Sequence, residues 1–162
     1  MANLNLIPIV LTTACFGMAS GIFFLLYCLE EPIYDPVLKK NAVGADTDLQ
    51  MRRILMVLQQ LLTFRVPVVM VTLITSGILS AFYRMTISGF ALLPVLVVVS
   101  SLLVFIVSAI SVPSAIKVFK NANPEALSSE VQGALAPIVR LHRNVGFLVL
   151  VTLIIQLTST AF

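Results

Sequence analysis

At 162 residues the chain has the length of one ordinary domain, and 59% of it is apolar while only 10% is charged. Soluble domains carry about 25% charged residues, so this chain lacks the polar surface to cover itself in water, and lipid is the solvent for most of it. The net charge of +3 matters less than its placement: the basic residues abut apolar runs and are interleaved with acids, which excludes a nucleic-acid surface.

Met1 to Asn5 carries no Lys or Arg, and the apolar run that follows, Leu6 to Leu29, is long enough to span a bilayer. It reads as a first transmembrane helix that is kept, not as a cleaved secretory signal. Cys15 and Cys28 both lie in it. Thirteen helical residues hold them about 20 Å apart, beyond disulfide reach. Thr13, Gly17 and Gly21 recur every four residues, as Gly77 and Ala81 do later, a spacing that lets helix backbones approach closely.

The first connection, Glu30 to Arg53, is polar, holds Pro32 and Pro36, and includes a flexible stretch from Asn41 to Ala45. Asp48 is placed to cap a helix running into the second span, Phe64 to Tyr83. Drawn as one helix, Leu49 to Tyr83 measures about 50 Å. It should therefore stand proud of the membrane or bend at Pro67, where the carbonyl of Thr63 loses its donor. Arg84 to Ser88 is a tight turn into the third span, Gly89 to Ile116. The last connection, Lys117 to Arg143, contains Asn123-Pro124-Glu125, a helix start with Pro at its first position, and leads into the fourth span, Asn144 to Ala161.

Only helices and closed barrels satisfy their backbone in hydrocarbon, and these runs are too continuously apolar for barrel strands. The expected fold is thus an all-α membrane protein. Residues 1–162 form one four-transmembrane-helix bundle with cytoplasmic helical extensions and little other folded mass outside the bilayer. Lys39, Lys40, Arg52, Arg53, Lys117, Lys120, Arg140 and Arg143 all belong to the first and third connections, whereas Arg84 falls opposite. The positive-inside rule puts those connections in the cytoplasm and both termini outside or in a lumen. Which membrane it is stays open.

Polar side chains gather at the cytoplasmic mouth. Glu30, Glu31 and Asp35 end the first span, Arg65 opens the second, Lys117 ends the third, and Arg140, His142, Arg143 and Asn144 open the fourth. The long basic side chains also suit plain contact with headgroups. His142 is the single histidine, too few for two haem axial ligands or a His-rich metal set, so no metal or other cofactor is expected. At about 100° per residue, Arg140, Arg143, Asn144 and Phe147 share one helix face and His142 lies nearly opposite Arg140. The sequence carries no phosphate loop, nucleophile elbow or dinucleotide fingerprint.

Ser20-Gly21 with Pro32 beyond the first span, Pro67 with Thr72 five residues on, and Pro113 closing the third give a sparse pattern over nearly the whole chain. It resembles that of the small four-span anthrone oxygenase-like membrane protein family. In the fourth span Ile138, Leu141 and His142 stand at the matching places, Val145 stands where the family has Arg, and the chain has no Trp. The resemblance implies cofactor-independent oxygenation of an activated apolar aromatic. That chemistry asks for a base near neutrality and a cation beside the developing enolate oxygen. His142 or Glu31 is then the base, and Arg65 or Arg140 the cation. Glu30, Asp35 and Asn144 are the polar substrate contacts, with Phe64 and Phe147, beside Phe23 and Phe24, as apolar walls. The alternative is a non-catalytic subunit or adaptor in a larger membrane complex, with a homo-oligomer also open. A transporter is poorly supported, because mid-membrane polar residues are few and no repeat of broken helices is visible.

Overall fold

The structure is a computed structural model that describes residues 2–39, 44–62 and 65–161, with side chains from Leu6 onward. Six α-helices follow one another among the described residues: α1 Ala2–Glu30, α2 Tyr34–Lys39, α3 Ala45–Leu62, α4 Arg65–Ile87, α5 Leu92–Lys120 and α6 Ser128–Ala161. A single 3₁₀ turn, Glu31–Ile33, joins α1 to α2.

Four segments are long and apolar enough to cross a membrane: Leu6–Lys39, Arg65–Ile87, Leu92–Lys120 and Ser128–Ala161. They form a closed ring in which α1 packs on α4 and α6, and α5 packs on the same two. Outward, the ring presents Leu25, Leu79, Leu92 and Ile110, each at least 66% exposed. Such a surface is stable against hydrocarbon, not water. The chain is a multi-pass integral membrane protein.

The helix expected from Leu49 to Tyr83 is described in two stretches, α3 and α4. Residues 63–64, which include Thr63 and Phe64, lie outside the described residues, as do 40–43 of the expected flexible stretch. α4 is described from Arg65, with Pro67 two residues further on. The expected bend at Pro67 turns on the Thr63 carbonyl and so lies outside the described residues. α3 itself starts at Ala45, earlier than a cap at Asp48 would allow. The Asp48 N–H already bonds the Gly44 carbonyl at 2.9 Å, and its carboxylate accepts from Arg52 Nε at 2.7 Å one turn on.

α3 is amphipathic, and its apolar stripe of Met51, Leu55, Leu58 and Leu62 is buried. It packs with Ile33 and Val37, with Phe119 at the end of α5, and with Leu135 and Ile138 near the start of α6. Its polar side chains meet backbone carbonyls at the end of α5 and in the turn that follows it. Gln59 Nε2 donates to the Phe119 and Ala122 carbonyls at 3.1 and 3.0 Å, and Arg52 donates to the Pro124 carbonyl. This packed cap is substantial, against the expectation of little folded mass beyond the spans. α3 itself is the helical extension expected to lead into the second span; its packing over the ends of α5 and α6 is what local patterning does not carry.

Two turns complete the frame. After α4 the Phe90 N–H bonds the Met85 carbonyl at 3.1 Å and the Gly89 N–H bonds the Thr86 carbonyl at 3.4 Å, a Schellman ending. Gly89 at φ +65° makes the left-handed step that ending requires. Asn123-Pro124-Glu125 forms a turn in place of the expected helix start. Asn123 Oδ1 accepts from the Glu125 N–H at 2.9 Å, and α6 begins only at Ser128.

The small-residue pattern divides. A methyl group added at Gly77 would meet Phe16 at 2.9 Å and Cys15 at 3.3 Å, so the α1–α4 contact depends on its absence. Additions at Gly17 and Gly21 meet nothing within 4 Å, which places both outside any helix contact. Gly146, not singled out by spacing, is the close contact between α6 and α1: its added methyl lies 3.1 Å from Phe23.

Two stability predictions follow from the cap. Leu55→Ala, at a fully buried position, costs about 2–5 kcal/mol, read as a lowered thermal midpoint in detergent. The hydrogen bond from Arg52 holds the Asp48 carboxyl below the usual carboxylate range. Since its folded value is the lower one, its contribution is present above the ordinary range and is lost as pH falls through the lowered value. Asp48→Asn should lower the neutral plateau of the thermal-stability profile slightly and flatten its acid side, because the contribution it removes is the one present at neutral pH.

Candidate active site

α6 buries one continuous stripe: Ile138, His142, Val145, Val149, Thr152, Gln156 and Ser159. These positions recur at alternating steps of four and three, one face of a helix. His142 rides on this inner face for the reason that Arg140, Arg143, Asn144 and Phe147 ride on the outer one, and all four of those are exposed.

Across from His142, α1 ends at Glu30, where Pro32 opens the 3₁₀ turn. Glu30 is fully buried and His142 is 7% exposed. Their contact, Nδ1 to Oε1, is 2.5 Å. Glu30 Oε2 is buried without a hydrogen-bond partner. Phe23, one side of α1 further down, meets the imidazole edge-on with ring centroids 6.2 Å apart.

The imidazole borders two clefts. One, of about 120 Å³, runs between the four spans and is lined by apolar side chains such as Met70, Ile74, Val112 and Val145, with Ser108. The other, of about 530 Å³, is a groove between α1 and α6 lined by Gly21, Phe24, Tyr27, Tyr34, Arg143 and Phe147 among others. Volumes of about 300–1,000 Å³ are usual for small-molecule sites.

Of the residues singled out in the sequence, Glu30 and His142 come together and Phe147 lines the groove beside them, 65% exposed. Glu31 and Arg65 are exposed and border neither cleft. Arg140 and Asn144 line a separate shallow site with Pro137 and Ser111, on the α5 side of α6. Asp35 pairs with Lys39 at 3.0 Å on the surface. Phe64 lies outside the described residues. Arg143 is the cation on the same groove as His142, and Tyr34 joins it there; sequence reasoning weighed the first as a headgroup contact and passed over the second. No three His, Cys, Asp or Glu side chains among the described residues gather closely enough to hold a metal ion.

A second polar cluster ties the other end of the bundle. Arg84, 9% exposed, donates to Gln156 Oε1 at 2.9 Å and to the Ser159 carbonyl at 2.6 Å. Gln156 in turn donates to the Ile9 carbonyl at 3.3 Å and Thr13 Oγ1 at 3.2 Å, and Ser80 donates to the Pro8 carbonyl at 2.9 Å. Thus α4, α6 and α1 are linked by a chain of satisfied donors in a medium that offers no water.

Comparison with family models, curated proteins and solved structures finds no match to this chain.

Removing one partner of a buried charged-type pair costs about 3–5 kcal/mol, because the other is left uncompensated. His142→Ala and Glu30→Ala should therefore lower the thermal midpoint in detergent clearly. Arg140→Ala, at an exposed position, should stay within about 0.5 kcal/mol of the parent.

Proposed function

We propose that this chain is a membrane oxygenase of the anthrone type, working without a cofactor, in which His142 is the base and Glu30 the residue that orients it. One observation carries the reading: two titratable side chains, both buried within a lipid-facing bundle, share a 2.5 Å hydrogen bond at the edge of two apolar clefts. Ionisable groups are costly at such depth, and the structural link between α1 and α6 would be met more cheaply by apolar packing.

With its Nδ1–H given to Glu30, the imidazole keeps its Nε2 lone pair for a substrate. The carboxylate fixes both the tautomer and the ring orientation, and it stabilises the imidazolium formed when a proton arrives. A planar substrate with an acidic ring CH₂ beside a conjugated carbonyl gives that proton to Nε2, and the electron pair passes onto the ring as an enolate. Arg143, on the groove that His142 borders, supplies positive charge for the enolate oxygen. Dioxygen then takes up the carbanion carbon and the proton to form a hydroperoxide. Loss of the second C–H proton with departure of hydroxide gives the quinone carbonyl and one water. In sum CH₂ and O₂ become C=O and H₂O; the ring carbon is oxidised and dioxygen is the only oxidant.

The sequence-based placement of the long connections makes this end of the bundle cytoplasmic, so product leaves either there or back into lipid. The test is an aerobic assay of the purified chain with an anthrone, following quinone absorbance. His142→Ala should slow the reaction by roughly 10²–10⁴-fold; Glu30→Gln should fall between the two, because the ring keeps an acceptor but loses the negative charge that stabilises its imidazolium. Absence of quinone above the uncatalysed rate with the parent chain defeats the proposal, and a stoichiometric co-purifying partner then favours the membrane-subunit alternative.

A further inference from the structure

The outer side of the seam between α5 and α6 opens into a cleft of about 250 Å³, at the same end of the bundle as His142. Small side chains leave the room: Ser111, Ser114 and Ala115 on α5 face Pro137 on α6. α5 ends and α6 begins at this end, so the cleft has a readable depth. Ser114 and Arg140 stand at its rim, Ser111 and Asn144 about one turn deeper, and Val107 a further turn toward the bilayer centre. Its polar groups are open to a ligand. Arg140 and Asn144 are both exposed, and neither side chain has a hydrogen bond or ion pair among the described residues. Among the described residues no carboxylate lines the cleft.

We infer that this cleft binds the phosphate of an anionic phospholipid, with one acyl chain lying over Val107 and Ile110. Its free polar groups can all donate: the guanidinium of Arg140, the amide NH₂ of Asn144 and the Ser111 hydroxyl. A phosphate diester has only acceptors to offer and takes a guanidinium fork in two hydrogen bonds at once. Asn144 separates a site from loose attraction. Arg140 alone could reach headgroups by extending its chain. The short Asn144 side chain cannot, and an amide facing hydrocarbon without a partner is costly. A phosphate drawn down to it by Arg140 removes that cost. Below the polar rim Ile110 is 73% exposed, and Val107 and Leu141 continue the wall. Charge, amide and apolar wall follow one another along the cleft as headgroup and chain do along a lipid, whereas a free inorganic phosphate would use the upper part only. The site is separate from the pair of Glu30 and His142, and it does not depend on the function proposed above.

The test measures binding of phosphatidylglycerol to the full chain in detergent micelles by native mass spectrometry, with phosphatidylcholine and inorganic phosphate as comparison ligands. A saturable phosphatidylglycerol site is expected, with phosphatidylcholine held about fivefold more weakly. Arg140→Gln should raise the phosphatidylglycerol Kd roughly tenfold or more, the loss of a charge-assisted pair. Asn144→Leu should raise it about three- to tenfold. The thermal midpoint of the lipid-free variants should match the parent, so folding and binding are read apart. Arg65→Gln, at an exposed cation of the same end that does not line the cleft, should bind as the parent does. An equal loss in Arg65→Gln and Arg140→Gln means diffuse attraction to a basic rim and overturns the inference. Parent-like binding in Asn144→Leu overturns it too, as does equal binding of phosphatidylcholine. Displacement of the lipid by excess inorganic phosphate would make the site one for a soluble anion and likewise defeat it.

Discussion

The hydrogen bond between Glu30 and His142 sets the arrangement of one end of this molecule. It joins the last residue of α1 to the inner face of α6 at 2.5 Å, with both side chains shut off from solvent. In water such a link contributes little, since each group has water as an equivalent partner. Inside a bundle facing lipid that alternative vanishes, and either residue alone is a liability. The pair therefore fixes where α1 stops and how α6 is rotated. From that rotation follow the exposure of Arg143 and Phe147 and the shape of the groove beside them.

The bundle is tied at both ends, by different chemistry. At the far end Arg84, Gln156 and Thr13 form a chain in which backbone and side-chain oxygens accept what the guanidinium and amide donate. At the near end the titratable pair keeps one carboxylate oxygen, Glu30 Oε2, without a partner. The first arrangement links three helices through neutral acceptors and suits a clamp. The second has a free acceptor and two adjoining clefts, as a site that handles ligands and protons requires. Between them the contacts are apolar, with Gly77 and Gly146 letting Phe16 and Phe23 seat against neighbouring backbones. Water-type hydrophobic packing reappears only in the cap, where α3 covers the ends of α5 and α6.

Much of this fold was legible in the sequence, because continuous apolar runs admit few structures in a bilayer. The four spans and the α-helical class follow from those runs, and the grouping of the two long connections follows from the placement of a few charges. Helix ends were less legible. Asn123-Pro124-Glu125 has the composition of both a turn and a cap, and tertiary contacts of α3 with Pro124 and Ala122 select the turn. The site was half legible. His142 and Glu30 were both in view, yet pairing them needs the rotation of α6 against α1, and no local spacing encodes contact between residues 112 apart. The helix wheel separates His142 from Arg140, and it is the face without charge that turns inward, while Arg140 and Arg143 are exposed at the end of the bundle. Tyr34 was overlooked because only the break at Pro32 turns it back toward the groove wall.

The account stands on the buried contact between Glu30 and His142, and the chain's single histidine makes it directly observable. In tag-free protein labelled with ¹⁵N-histidine and held in nanodiscs, the ring should give one nitrogen-bound proton far downfield, protected from exchange with water. Substituting Glu30 with Gln should move that signal sharply upfield. A ring whose protons exchange freely, with chemical shifts indifferent to residue 30, would contradict the account.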